Sequence, residues 1–79
     1  MTRPSMEIEV SFLAGTDIAD AIQQSIDLLQ IMPMLAYVKF DFNELSVAVN
    51  RNSKVTGNID ERLGKAYKGK FKHWIVEGE

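Results

Sequence analysis

From Met6 to Leu13 apolar and polar residues alternate: Met6, Ile8, Val10 and Phe12 are apolar, while Glu7, Glu9 and Ser11 are polar. A period of two is that of a strand with one buried face. Gly15 and Thr16 break the pattern, and Thr16 or Asp17 is placed to accept hydrogen bonds from the free amides that open a helix. Ile18, Ile22, Ile26 and Leu29 then recur at spacings of four, four and three, joined by Ala21 and Leu28, with Asp20, Gln23, Gln24, Asp27 and Gln30 left for solvent. This is a one-sided helix. It should stop near Ile31, because Pro33 lacks an amide proton and disfavours helical geometry at Met32.

Alternation resumes in Ala36, Val38, Phe40 and Phe42, pauses at Asn43 and Glu44, and returns in Leu45, Val47 and Val49. A two-residue turn at Asn43 and Glu44 sets Phe42 opposite Leu45, Phe40 opposite Val47 and Val38 opposite Val49, all on one face. Glu44 is not an ideal residue for positive φ, so a longer, bulged loop is the alternative. After the polar stretch from Arg51 to Gly57, Asn58 and Glu61 resemble a capping box ahead of Ile59, Leu63 and Ala66. Gly64 weakens this second helix, which is held to about three turns ending by Gly69. Phe71, His73 and Ile75 alternate with Lys72, Trp74 and Val76 as a last strand. Strand, helix, strand, strand, helix, strand is the order of the split βαβ, or ferredoxin-like, arrangement. The expectation is one α+β domain over 1–79: a four-stranded antiparallel sheet with two helices on one face.

Composition narrows the setting. The 79 residues are 46% hydrophobic and 25% charged, without cysteine, which is ordinary for a globular protein and excludes disulfides and thiolate metal sites. A chain this short buries only about 60% of its unfolded surface, so packing or self-association must stabilise it, and a homo-oligomer is one expectation. No apolar run approaches a membrane span and the N-terminal residues lack signal-peptide features, so the expected location is cytoplasmic. The net charge of −2 hides an asymmetry. Residues 1–50 carry two cations against seven carboxylates, for −5, and residues 51–79 carry seven cations against four carboxylates, for +3. Such a dipole suits head-to-tail contacts or an anionic partner.

Catalytic chemistry finds little to build on. A serine nucleophile needs an activating base, and Ser5, Ser11, Ser25, Ser46 and Ser53 share a single histidine, His73, with no motif around any of them. The chain is therefore read as no enzyme, and as needing no cofactor. Asp17, Asp20 and Asp27 fall on one helix face, and a solvated face accounts for them better than a cation site. Gly57, Gly64 and Gly69 form neither a phosphate loop nor a dinucleotide fingerprint.

The stretch from Arg62 to Trp74 is richer. Arg62, Lys65, Lys68, Lys70 and Lys72 interleave with Tyr67, Phe71 and Trp74. Cations neutralise phosphates and rings stack on bases, so the segment could hold nucleic acid or a nucleotide. Solvated lysines with Phe71 in the core and Trp74 capping the apolar face explain the same residues. The third strand, Ser46 to Asn50, carries no aromatic residue, which argues against RNA read on the sheet in the manner of an RRM.

The run Tyr37-Val-Lys-Phe-Asp-Phe-Asn-Glu-Leu-Ser-Val-Ala-Val-Asn-Arg-Asn-Ser53 resembles the strand pairs of small phage-encoded accessory proteins, over about a fifth of the chain. That resemblance implies a non-catalytic protein, in the cytoplasm of a bacterial host, that binds a host or phage macromolecule, in some cases to inhibit a defence system such as CRISPR. Glu44 stands where such hairpins often have glycine, and no functional residue is carried over.

Overall fold

A computed structural model describes residues 6–70 and 72–77. Six elements appear in the expected order: β1 (Met6–Glu9), α1 (Ile18–Ile31), β2 (Leu35–Phe42), β3 (Leu45–Val49), α2 (Ile59–Tyr67) and β4 (His73–Val76). Phe71, expected at the start of the last strand and in the core, lies outside the described residues, as does Ser5.

The hairpin register is the expected one, with Val38 opposite Val49, Phe40 opposite Val47 and Phe42 opposite Leu45. Asn43 and Glu44 have φ of 47° and 73°, so both central residues of the turn are left-handed. Paired left-handed residues make a type I′ turn, whose twist matches that of the strands. The bulged alternative is not used. Helix α1 buries Ile18, Ala21, Ile22 and Leu29 against Val38, Phe40, Val47 and Val49 in one core, which Ile59 of α2 and Val76 of β4 complete. Ser25 also lies on the buried face of α1, where its hydroxyl donates to the Ala21 carbonyl at 2.9 Å.

Three local expectations need correction. Strand β1 ends at Glu9 rather than Leu13; Val10 makes one last bond to the Lys39 carbonyl at 2.9 Å, and the chain then leaves the sheet, with Phe12 still set edge-on to Phe40. Neither helix has a side-chain cap. The Thr16 hydroxyl donates to the Leu13 carbonyl, and the Asn58 amide oxygen instead accepts from the Thr56 hydroxyl. In β2 a register shift places Leu35 opposite Met6 and Tyr37 opposite Glu7. The extra residue reverses the side-chain phase, and Leu35 turns into the core.

The larger correction concerns topology. The sheet order is β1-β2-β3-β4, with β1 parallel to β2, β2 antiparallel to β3, and β3 parallel to β4. The sheet is mixed, not antiparallel, and neither βαβ unit is split by an intervening strand. This order carries a handedness consequence. Both crossovers step the same way across the sheet, but the hairpin reverses strand direction between them. With α1 and α2 on the same face, the crossovers have opposite hand, and one is of the rare left-handed kind. In a split arrangement the second step reverses together with strand direction, and both helices reach one face right-handedly. Periodicity reports which face of a strand is buried and is blind to which strand lies beside it.

Two predictions follow from these elements. Glu9→Cys with Lys39→Cys, opposite one another on β1 and β2, should close a disulfide on mild oxidation; a split order would separate the pair by a strand, and no cross-link would form. Glu44→Gly should relieve a left-handed non-glycine residue and stabilise by about 1 kcal/mol, read as a rise in Tm of about 4–8 °C for a domain this small. An unchanged or lower Tm would show that the turn is not left-handed there.

Candidate functional site

The basic segment is brought together only in part. Arg62 is committed to the fold: its guanidinium donates to the Glu77 carbonyl at 2.9 Å and to the Thr56 hydroxyl at 3.3 Å, and its Cζ lies 5.9 Å from the centroid of the Trp74 ring. The Tyr67 hydroxyl donates to the Phe42 carbonyl at 2.9 Å, tying α2 to the end of β2. Tyr67 and Trp74 are half-buried against the core. Both rings are thus engaged in the fold through packing and, for Tyr67, a hydrogen bond. Lys65, Lys68, Lys70 and Lys72 are exposed, and the Lys72 ammonium donates to the Tyr67 carbonyl. None of the four pairs with a carboxylate among the described residues. What remains is a patch of four point charges at the end of α2 and the approach to β4.

Among the described residues no helix or strand covers the other face of the sheet, the bare face. Tyr37, Lys39 and Asp41 on β2, Ser46 and Ala48 on β3, and His73 and Ile75 on β4 point to it, with Glu7 and Glu9 from the edge strand. Asp41 pairs with Ser46, and Ser46 with His73, so an acid, a hydroxyl and an imidazole stand in one row across three strands. They border a groove of about 450 Å³. The Ser46 hydroxyl donates to the Asp41 carboxylate at 3.4 Å and makes no hydrogen bond with His73. The row therefore lacks the serine–imidazole bond that activates a nucleophile. Among the described residues this face carries one ion pair, Lys39 with Glu7 at 3.1 Å, which is exposed and worth little.

The opposite end of the sheet is apolar. Ile31 and Met32 end α1, Met34 precedes β2, and Met6 opens β1 beside them, its amide donating to the Met34 carbonyl at 3.2 Å. Ile31 is 75% exposed, Met6 54%, Met34 46% and Met32 41%. The exposed Tyr37 ring lies at this same end, next to Glu7 in the register. Arg51 fixes the rim from behind, donating to the carbonyls of Met32 and Leu35 at 3.1 and 3.2 Å. Single exposed apolar residues need no explanation, but a contiguous group of this kind does. Sequence reasoning passed over it. The signal was the run Ile31-Met32-Pro33-Met34, which was used only to end a helix.

Among the described residues no group of three or more His, Asp or Glu side chains is placed to hold a metal ion. Asp17, Asp20 and Asp27 are exposed, Asp27 accepting from Gln23. No described helix is long and apolar enough to cross a membrane. Comparison of the chain with protein-family models, with curated proteins and with solved structures finds no match.

Proposed function

We propose that the chain is a non-catalytic accessory protein that acts by binding another protein, through the rim of Met6, Ile31, Met32 and Met34 with the adjoining Tyr37 ring. The rim carries this reading. Methionine side chains are flexible and polarisable and suit a surface that adapts to a partner, and burying the exposed parts of these four groups would contribute roughly half of the about 1.5–3 kcal/mol that full burial of each is worth, before the costs of association. Tyrosine is among the residues enriched at the energetic centres of interfaces, and Tyr37 adjoins the rim. The resemblance of the hairpin to phage accessory proteins gives the finer proposal: the partner is a host or phage protein, and its inhibition blunts a defence system such as CRISPR.

Cells that carry CRISPR immunity and express the chain should regain phage plaques, and Met32→Asp with Met34→Asp should abolish the effect while leaving the circular dichroism unchanged. A partner recovered by cross-linking at position 34 should bind that double variant about 100-fold more weakly, the equivalent of about 2.8 kcal/mol. Full affinity in the double variant would sink the rim as the binding surface.

The four exposed lysines favour a second reading, nucleic-acid or nucleotide binding by charge. Four phosphate contacts to single-stranded RNA would give a log–log salt slope of about −3, abolished by Lys65→Glu, Lys68→Glu and Lys70→Glu together. A flat titration at low salt removes this reading and leaves the first untouched.

A further inference from the structure

Among the described residues the sheet ends on β1 at one edge and on β4 at the other, and the two edges are not alike. β1 offers the sequence Met-Glu-Ile-Glu with its two carboxylates, the kind of charge that keeps an edge from pairing with another chain. β4 offers His-Trp-Ile-Val, with no carboxylate or ammonium among its four residues, and Ile75 is 48% exposed upon it. The Ser46 amide donates to the Lys72 carbonyl, and Ser46 stands opposite His73. In a parallel ladder this turns the peptide groups of Lys72 and Trp74 toward β3 and those of His73 and Ile75 outward. No described backbone hydrogen bond outside the ladder uses His73 or Ile75. Further along, the edge closes, because the Glu77 carbonyl already accepts from Lys54 and Arg62.

We propose that β4 pairs with β4 of a second copy of this chain, antiparallel across a two-fold axis at Trp74, to make one eight-stranded sheet. The four outward groups dictate this register. His73 of each copy lies opposite Ile75 of the other, and the two pairs exchange four hydrogen bonds that satisfy both free peptide groups of each chain. Trp74 then meets its own counterpart on the helix side as a closely spaced, non-hydrogen-bonded pair. On the bare face, His73 of one copy is diagonal to Glu77 of the other, within reach of a long side chain. The helices agree with this placement. Arg62 lies near Glu77 and Tyr67 near Phe42, so α2 runs antiparallel to β4. The two-fold sets the acidic first turn, Asp60 and Glu61, of one α2 on the side of the basic last turn, Lys65, of the other. A partner strand of unrelated sequence could use the same amides, but the two-fold match of donors, acceptors and flanking charges belongs to a second copy. This inference does not rest on the apolar rim, which lies away from the β4 edge.

Sedimentation equilibrium of the full chain over about 10 µM to 1 mM tests it, together with far-ultraviolet circular dichroism for the exciton couplet of two facing indoles. The expected result is twice the chain mass with a couplet. Ile75→Lys should give monomers without the couplet. Ile75→Pro, which removes an outward amide and no bond to β3, should do the same and covers the case in which the lysine variant fails to fold. Glu9→Lys should leave the dimer intact. A wild-type monomer at 1 mM, a dimer without the couplet, a dimer that survives both Ile75 substitutions, or one that Glu9→Lys dissolves would each overturn the proposal. Rim variants at Met32 and Met34 should leave the mass unchanged, so failure of the dimer and failure of partner binding are read separately.

Discussion

The left-handed turn at Asn43 and Glu44 is the constraint on which the rest of the structure depends. Two residues of positive φ bring Phe42 against Leu45, and once that pair is fixed every apolar residue of β2 and β3 from Val38 to Val49 falls on one face except Ala48. A slip of one residue would turn the apolar set of one strand away from the helix and leave it wet. Helix α1 answers that face with Ile18, Ile22 and Leu29, the centre of the core. The outer strands and α2 complete a core whose existence the hairpin and α1 already determine.

A sheet covered on one face only leaves the other to solvent or to a partner. The bare face is not uniform. Its polar end carries Asp41, Ser46 and His73, and the opposite end runs into the apolar rim of Met6, Ile31, Met32 and Met34. The lysines gather at the hairpin end, where α2 finishes, and the carboxylates Glu7 and Glu9 line the far edge strand. The charge asymmetry between the two parts of the sequence thus becomes a separation in space, carboxylates on the β1 edge and lysines at the hairpin end. That separation allows surfaces of different chemistry on a small fold: an apolar rim, a cationic patch and an uncharged strand edge.

Aromatic residues show how position in the fold changes chemical meaning. Tyr67 and Trp74 stand among lysines in the sequence and resemble a stacking platform. In the fold Tyr67 bonds the hairpin carbonyl of Phe42 and Trp74 lies beneath Arg62, so both rings serve packing. Tyr37, outside the basic segment, is the ring that faces outward. In both cases the deciding fact is which side of the sheet the residue occupies relative to α1 and α2.

The sequence by itself determined the six elements, the hairpin register and the buried face of α1, because alternation and helical spacing are local patterns that must match a single apolar surface. It also located the basic segment. Only the tertiary structure decided that β1 lies beside β2 and β3 beside β4, that the sheet is mixed, and that one crossover takes the rarer hand. Strand neighbours are chosen by the whole packing of helices on the sheet, and no pattern of period two or 3.6 records them. The tertiary structure likewise decided that Leu35 turns inward at the bulge, that the Arg62 side chain is spent on Trp74 and Glu77, and that Met6 joins Ile31, Met32 and Met34 in one rim. Each of these depends on contacts between segments many residues apart, which the pattern of one chain does not encode position by position.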